Sequence, residues 1–247
     1  MNPDEIEFWE NEYLKQISYL LTLDRNKMFE GFGTKEDIRG DWKKFWSSGH
    51  SEIDRGTERI FYWLFNQFGK PNSAPVGSDL FFETYNAFVH IDVKTVYSGN
   101  IGDFIGSIFV GDNQNSYDGK IVVRGKESRD YIGNLPNYYT KADGSKKICL
   151  TYFLVTLFDD SYSGLLIMLL MCMPNGELYD TYGDAVLKAG KNTGLIRYDY
   201  AAAPVFNLLE RKPSRVKVIY WDDENIDNDE NIEGKIKMKL MELKKFK

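Results

Sequence analysis

Histidine and cysteine are scarce in this chain, with two of each among 247 residues. His50 and His90 lie far apart, and Cys149 and Cys172 fall in separate apolar runs, so no ligand set has zinc-site spacing. The two thiols read as reduced, buried side chains of a cytoplasmic protein. No apolar run reaches the ~18 residues that a membrane span needs. The longest, residues 165–173, has the length of a buried strand. The chain begins Met1-Asn2-Pro3-Asp4-Glu5, which is acidic and has no apolar leader region. A G-x-S-x-G nucleophile elbow is missing too. Gly31-Phe32-Gly33 lacks the third glycine of a dinucleotide fingerprint. Gly190-Lys191 fails as a P-loop because Ala185 stands where a glycine is required and Asn192 where Ser or Thr is. No organic cofactor and no membrane are therefore expected.

Basic excess is also lacking: the formal net charge is −6. Much of this is local, because residues 222–233 carry seven acidic side chains and no basic one. Removing them leaves the remainder close to neutral. Phosphate contact depends on local and not net charge, so the acidic balance neither supports nor excludes nucleic acid.

What the chain does have is 43% hydrophobic and 15% aromatic residues, the composition of a globular protein long enough to bury a large core. The informative stretch is Gly77-Ser78-Asp79-Leu80-Phe81-Phe82-Glu83, followed after Thr84-Tyr85-Asn86 by Phe88-Val89-His90-Ile91-Asp92-Val93-Lys94-Thr95. It reads as two short strands and a tight turn. Strand alternation puts Phe88, His90, Asp92 and Lys94 on one face and Val89, Ile91, Val93 and Thr95 on the other, the latter a core wall. An Asp and a Lys two residues apart in so apolar a strand are costly to bury unless something uses them. With Thr84 paired to Ala87 across Tyr85-Asn86, Asp79 falls opposite Asp92. Two facing carboxylates repel unless a cation lies between them. An oxygen-only set of this kind suits Mg²⁺ with substrate phosphate, with the Lys94 ammonium beside it. That outlines a phosphodiester-cleaving site.

Asp79, with Asp92-Val93-Lys94 beginning thirteen positions later, resembles the PD-(D/E)xK nuclease signature, a carboxylate followed at variable distance by D-x-K. Ile91-Asp92-Val93-Lys94-Thr95 is similar to the catalytic strand of type II restriction endonucleases, particularly the EcoRV-like branch. The proline expected just before the first Asp is replaced by Ser78. The resemblance implies an α/β (α+β) restriction-endonuclease-like core, a mixed central sheet flanked by helices. It implies sequence-specific hydrolysis of double-stranded DNA, with Asp79, Asp92 and the Val93 carbonyl on Mg²⁺ and Lys94 acting on water or phosphate. Glu58, on the helix before the hairpin, matches a helix glutamate that related endonucleases carry, although a surface ion pair with Arg55 or Arg59 explains it equally. A two-fold homodimer would cut both strands of a symmetric site.

Around the hairpin, the spacing predicts a helix over 3–29, capped by Asn2 with Pro3 in its first turn and broken at Gly31-Phe32-Gly33. Its stripe is Ile6, Trp9, Tyr13, Ile17 and Leu20. A short helix with Trp42, Phe45 and Trp46 is predicted over 35–50. A further helix over 52–68 buries Ile60, Phe61, Leu64, Phe65 and Phe68. Residues 98–140 read as a long polar excursion with strands near 104–110 and 120–124. It offers Asn113, Gln114, Asn115, Arg124, Lys126 and Arg129 to bases or phosphates. Central strands are predicted over 147–158 and 165–173. Lys191, Asn192, Thr193 and Arg197 form a candidate groove-reading loop, the place where the resemblance implies one, with a solvated turn as the plain alternative. A helix at 204–210 and a strand at 215–221 follow. Residues 1–221 are read as one nuclease domain, and 222–247 as an acidic linker and C-terminal helix. Two other classes fit the same residues: a structure-directed repair or junction nuclease, and a non-catalytic protein in which Asp92 and Lys94 are only an ion pair.

Overall fold

The structure is a computed structural model that describes residues 1–37, 51–65, 70–71, 77–123, 128–160, 164–190 and 195–247. Its centre is a mixed sheet. Strand β1 is Lys70–Pro71, β2 Leu80–Glu83, β3 Ala87–Tyr97, β4 Ile108–Val110, β5 Gly119–Val122, β6 Ser128–Tyr131, β7 Tyr138–Thr140, β8 Lys146–Phe158, β9 Leu165–Met173, β10 Leu187–Ala189, β11 Ile196–Tyr198 and β12 Val216–Trp221. The main sheet runs β1-β2-β3-β8-β9-β12, with β7 added to β8. Strands β3 and β8 pair in parallel from Ala87↔Ile148 to Tyr97↔Phe158, while the other main-sheet pairs are antiparallel. Two smaller sheets, β10-β11-β4 and β5-β6, complete the fold.

The predicted strands at 147–158 and 165–173 correspond to β8 and β9. Every residue of β9 is buried, as expected where both faces are covered and alternation gives way to a continuous apolar run. Three helices cover one face: α1, Pro3–Leu23; α2, Arg25–Asp37; and α3, Ser51–Leu64. The Tyr152 hydroxyl donates to the Glu10 carbonyl on α1, Phe32 of α2 packs on Phe158, and Phe65 after α3 packs on Phe82. Register places Tyr152 beside Ile91 and Phe82 beside Val89. This is the face predicted as core wall. The opposite face, with Asp92 and Lys94, meets the β10-β11-β4 sheet through Phe153 and Tyr198.

The predicted 3–29 helix is two helices. Asn2 caps α1 through a 2.8 Å bond from the Glu5 N–H, as read from the sequence. The break falls at Asp24, where φ is −101° and ψ is 22°. Gly31-Phe32-Gly33 lies inside α2. A Cβ on Gly31 would lie 3.2 Å from Ile60 Cγ1, so this glycine lets α2 and α3 approach closely rather than ending a helix. The predicted Trp42, Phe45, Trp46 helix and Phe68 lie outside the described residues.

Residues 204–210 are not helical. Val205 bridges Ser214, and the Glu7 carboxylate accepts hydrogen bonds from the Asn207 and Leu208 N–H groups. A buried carboxylate on another helix thus takes donors that a local helix would have had to satisfy itself. The predicted acidic linker contains a short helix. Asp222 caps this helix, α5, Asp223–Asn228, which buries Ile226, and Ile232 follows it into the core. (Helix α4 is the single turn Tyr179–Tyr182.) The C-terminal helix α6, Gly234–Met241, continues into a 3-10 turn and docks on the body, with Leu240 and Leu243 buried and Lys244 over the Trp221 ring.

One polar cluster under the helices was not visible in the sequence. Arg215 is fully buried and pairs with Glu7 at 3.1 Å and Glu10 at 2.8 Å, its guanidinium flanked by the Tyr182 and Phe206 rings. Burial pushes the Glu10 carboxyl up, against the pull of Arg215. Removing one member leaves buried charge unpaired, so Arg215→Ala is expected to lose about 3–5 kcal/mol of stability, measured by urea unfolding. A loss under about 1 kcal/mol would show that the cluster is not holding α1 to β12.

A second clamp ties two hairpins together. Glu83 accepts from Lys141 at 2.6 Å and Lys147 at 2.8 Å, which hold its carboxyl down at about 2 from 4.5. The unfolded chain therefore binds the extra proton first. The clamp's stabilisation is complete above pH 4.5 and disappears as pH falls toward 2. The gap in urea midpoint between the protein and Glu83→Gln is expected to be largest at pH 7 and to narrow steadily below 4.5. A gap that stays constant down to pH 3 would refute this origin.

Candidate active site

The β2–β3 register puts the charged side chains together. Leu80 pairs with Ile91, Phe81 with His90, Phe82 with Val89 and Glu83 with Phe88, and the turn closes with Thr84 N–H to the Ala87 carbonyl at 2.9 Å. The Tyr13 hydroxyl, on α1, lies 2.7 Å from Thr84 Oγ1 and 2.5 Å from Asn86 Oδ1, pinning that turn to the helix layer. One step beyond the ladder, Asp79 is aligned with Asp92. There the strand gives way to a side-chain substitute: the Val93 N–H donates to Asp79 Oδ2 at 2.7 Å. Within a strand the N–H and C=O of one residue point to the same side. The Val93 carbonyl therefore also faces Asp79, past the end of β2.

Asp92 is 3% exposed. Its Oδ2 lies 2.5 Å from the Lys94 ammonium and makes no geometrically good hydrogen bond; its Oδ1 accepts from Gln114 Nε2 at 2.6 Å. Lys94 also donates to Gln114 Oε1 at 2.9 Å, and its ammonium lies over the Phe109 and Phe153 rings at 5.6 and 5.8 Å. Burial pushes the Asp92 carboxyl up to about 6; Lys94 opposes the shift, and Asp79 and Glu58 add to it. Burial likewise raises Asp79, against its Val93 bond and Lys94. Glu58, half-buried on α3, is thus close enough for its charge to act on Asp92.

Two carboxylates raised by burial, Asp92 further by the charge of Asp79, with a backbone carbonyl facing the same end of the hairpin, lack positive charge. One ammonium does not fully supply it. The donors are oxygens only, which fits a hard divalent cation that keeps water and takes one or two carboxylates. Among the described residues no group of three His, Cys, Asp or Glu side chains is poised to hold a metal. The oxygens that the hairpin brings together are those of Asp79, Asp92 and Val93.

Other predicted residues fall elsewhere. Asn113 is exposed. Gln114, read as a base-reading side chain, points inward to the Asp92–Lys94 pair. Asn115 is buried and pins its own loop, donating to the Gly111 carbonyl and the Tyr131 hydroxyl and accepting from the Tyr117 N–H. Arg197 is locked to Asp103, Ser107 and the Gly102 carbonyl, so four of its five donors are used inside the fold. Lys191, Asn192, Thr193, Arg124 and Lys126 lie outside the described residues. His90 is buried, 3.0 Å from the Tyr139 hydroxyl and beside Phe81. It is a structural histidine. No sequence pattern separated Gln114 from its polar neighbours, because its role depends on a contact across 22 residues.

Gly77 shapes the approach to Asp79. Its φ is +64°, and an added Cβ would fall 1.6 Å from the Asn113 carbonyl oxygen. Backbone against backbone cannot yield, and the dihedral itself disfavours any side chain. Gly77→Ala is expected to cost about 1–3 kcal/mol, read as a lowered urea midpoint. Wild-type stability in that variant would mean that the two segments do not touch.

Comparison with known proteins follows the same lines. The family model of the N-terminal domain of the type II restriction enzyme MwoI matches residues 3–162, and that of its central domain matches residues 165–221. The fold is similar to that of the restriction endonuclease BglI bound to its DNA recognition sequence, with TM-score 0.67, 14% identity, and 90% of this chain and 92% of that one covered. It is also similar to the tetrameric restriction endonuclease SfiI bound to cognate DNA, with TM-score 0.63, 12% identity, and 90% and 87% covered. No curated protein matches the chain.

Proposed function

The chain belongs to the family of the type II restriction enzyme MwoI, and on that premise we propose that it cuts double-stranded DNA through a Mg²⁺-dependent site built on Asp79, Asp92 and Lys94. As a member of that family it is a site-specific deoxyribonuclease. The finer reading, a PD-(D/E)xK centre of the EcoRV-like kind, is carried by one observation: Asp79 and Asp92 align across a hairpin, with the Lys94 ammonium 2.5 Å from Asp92.

Asp79 and Asp92 would hold the cation, with the Val93 carbonyl as a third oxygen. When bound, a divalent cation withdraws charge from a phosphoryl oxygen and lowers the pKa of a bound water. The protein's own groups do the remaining work. An ammonium has three N–H donors. In Lys94 one faces Asp92 and one faces Gln114, which leaves a third for a phosphate oxygen or the attacking water. Its charge then offsets the negative charge gathering on the phosphoryl oxygens in the transition state. The rings of Phe109 and Phe153 keep bulk water from the ammonium and strengthen that attraction. Glu58, whose charge acts on Asp92, adds to the negative charge that favours a cation there. Cleavage of both strands calls for two such sites, and a two-fold homodimer supplies one per strand.

A plasmid of known sequence, digested with and without Mg²⁺, tests this. Discrete fragments are expected with the metal only. Lys94→Ala and Asp79→Asn are each expected to lose about a hundredfold or more in rate. Metal-independent cutting, or a Lys94→Ala protein as fast as the native one, would remove the basis for this assignment.

A further inference from the structure

We propose that Gln114 is a positioning residue: its carboxamide holds Asp92 and Lys94 as one unit and ties that unit to the backbone of the smaller sheet. The inference rests on the reading of Asp92 and Lys94 as the catalytic pair.

Three bonds converge on this one side chain. Nε2 donates to Asp92 Oδ1 at 2.6 Å, while Oε1 accepts from Lys94 Nζ at 2.9 Å and from the Gly111 N–H at 2.8 Å. Only this amide orientation satisfies all three. Reversed, the amide would set its NH₂ against an ammonium and a backbone donor, and its oxygen against a carboxylate. The side chain is neutral, so it orders the two charges without changing their sum. Glu in its place would add a like charge beside Asp92, and an apolar residue would leave both groups free to move.

The arm that carries Gln114 is rigid. It sits in the one-turn helix Asp112–Gln114, directly after β4. The Asn134 N–H donates to the Asp112 carbonyl at 2.7 Å, Leu135 N–H to the Asn115 carbonyl at 3.0 Å, and the Asn115 amide closes back on Gly111. The Gly77 backbone is pressed against Asn113 from the other side. Strand β4 belongs to the β10-β11-β4 sheet and not to the sheet bearing Asp92 and Lys94. Gln114 is thus a polar link between the two sheets at the site. Phe109, Gly111 and Asp112 of the same segment also line an open cleft with Arg129, Tyr131 and Leu195, of about 520 Å³. Whatever settles in that cleft touches the arm that sets the catalytic pair.

The test uses the full chain with Gln114→Leu and Gln114→Glu. On the plasmid that the native protein cuts, Gln114→Leu is expected to lower kcat about 10–100-fold with KM for DNA nearly unchanged, the usual cost of losing a group that orients a metal-site ligand. Gln114→Glu keeps the volume and both acceptor bonds and is expected to fold, yet to lose at least as much kcat. A second readout needs neither metal nor DNA. Acetylation of Lys94 in the free protein, followed by peptide mass, is expected to speed up severalfold in Gln114→Leu, because a hydrogen bond to the ammonium is gone. Native kcat in Gln114→Leu, unchanged Lys94 labelling, or a kcat loss that only tracks the unfolded fraction in both variants would overturn the proposal. Lys94→Ala separates the two ideas. If that variant is fully active, the catalytic reading fails; if it is dead while Gln114→Leu is native-like, only the positioning role fails.

Discussion

One antiparallel register carries the site. The two-residue turn at Tyr85-Asn86 sets β2 against β3, and from that single choice Asp79 comes to stand beside Asp92. A slip of one residue would turn Asp92 and Lys94 under the helices and bring Val93 to the face that meets the smaller sheet. The fold guards against the slip at both ends. At the turn, Tyr13 grips Thr84 and Asn86; at the far end, the Asp79 carboxylate accepts the Val93 N–H in place of the next ladder bond.

The charges so gathered are expensive. Asp92 sits between two sheets and its carboxyl is pushed up by burial, which means that the folded protein holds it at a cost. A protein concerned only with stability would fill this position with an apolar side chain. Glu7, Glu10 and Arg215 are a contrasting case on the other face. There too charges are buried, but they are closed on themselves and on the Asn207 and Leu208 backbone, with no opening to solvent. The first cluster lies beside a cleft and is short of positive charge. The second is sealed and fastens α1 to the end of the sheet. Environment, more than residue type, separates a site from a staple.

Around the smaller sheet, side chains expected at a DNA surface have internal partners. Loop residues expected to read bases are partly spent on architecture: Asn115 and Arg197 hold the β4 and β11 region in shape. Gln114 reaches from that region to the Asp92–Lys94 pair. The acidic excess at 222–233 is partly paired internally, Asp223 with Lys244 and Asp227 with Lys237. It forms part of the packed body rather than a free tail.

Alternation and turn chemistry are local, and they were enough to identify the hairpin, its two faces, the Asp79–Asp92–Lys94 set and the apolar strands β8 and β9. Each depends on residues a few positions apart whose periodicity or turn preference acts without help from the rest of the chain. The places where the sequence misled were those in which a distant partner overruled local preference. Glu7 took the backbone donors that would have started a helix near 204, Gly31 made room for Ile60 inside α2, and Ile226 anchored an acidic segment to the core. Gln114 belongs with them: nothing near it in the chain marks it, because a hydrogen bond between two sheets exists only once both sheets have formed.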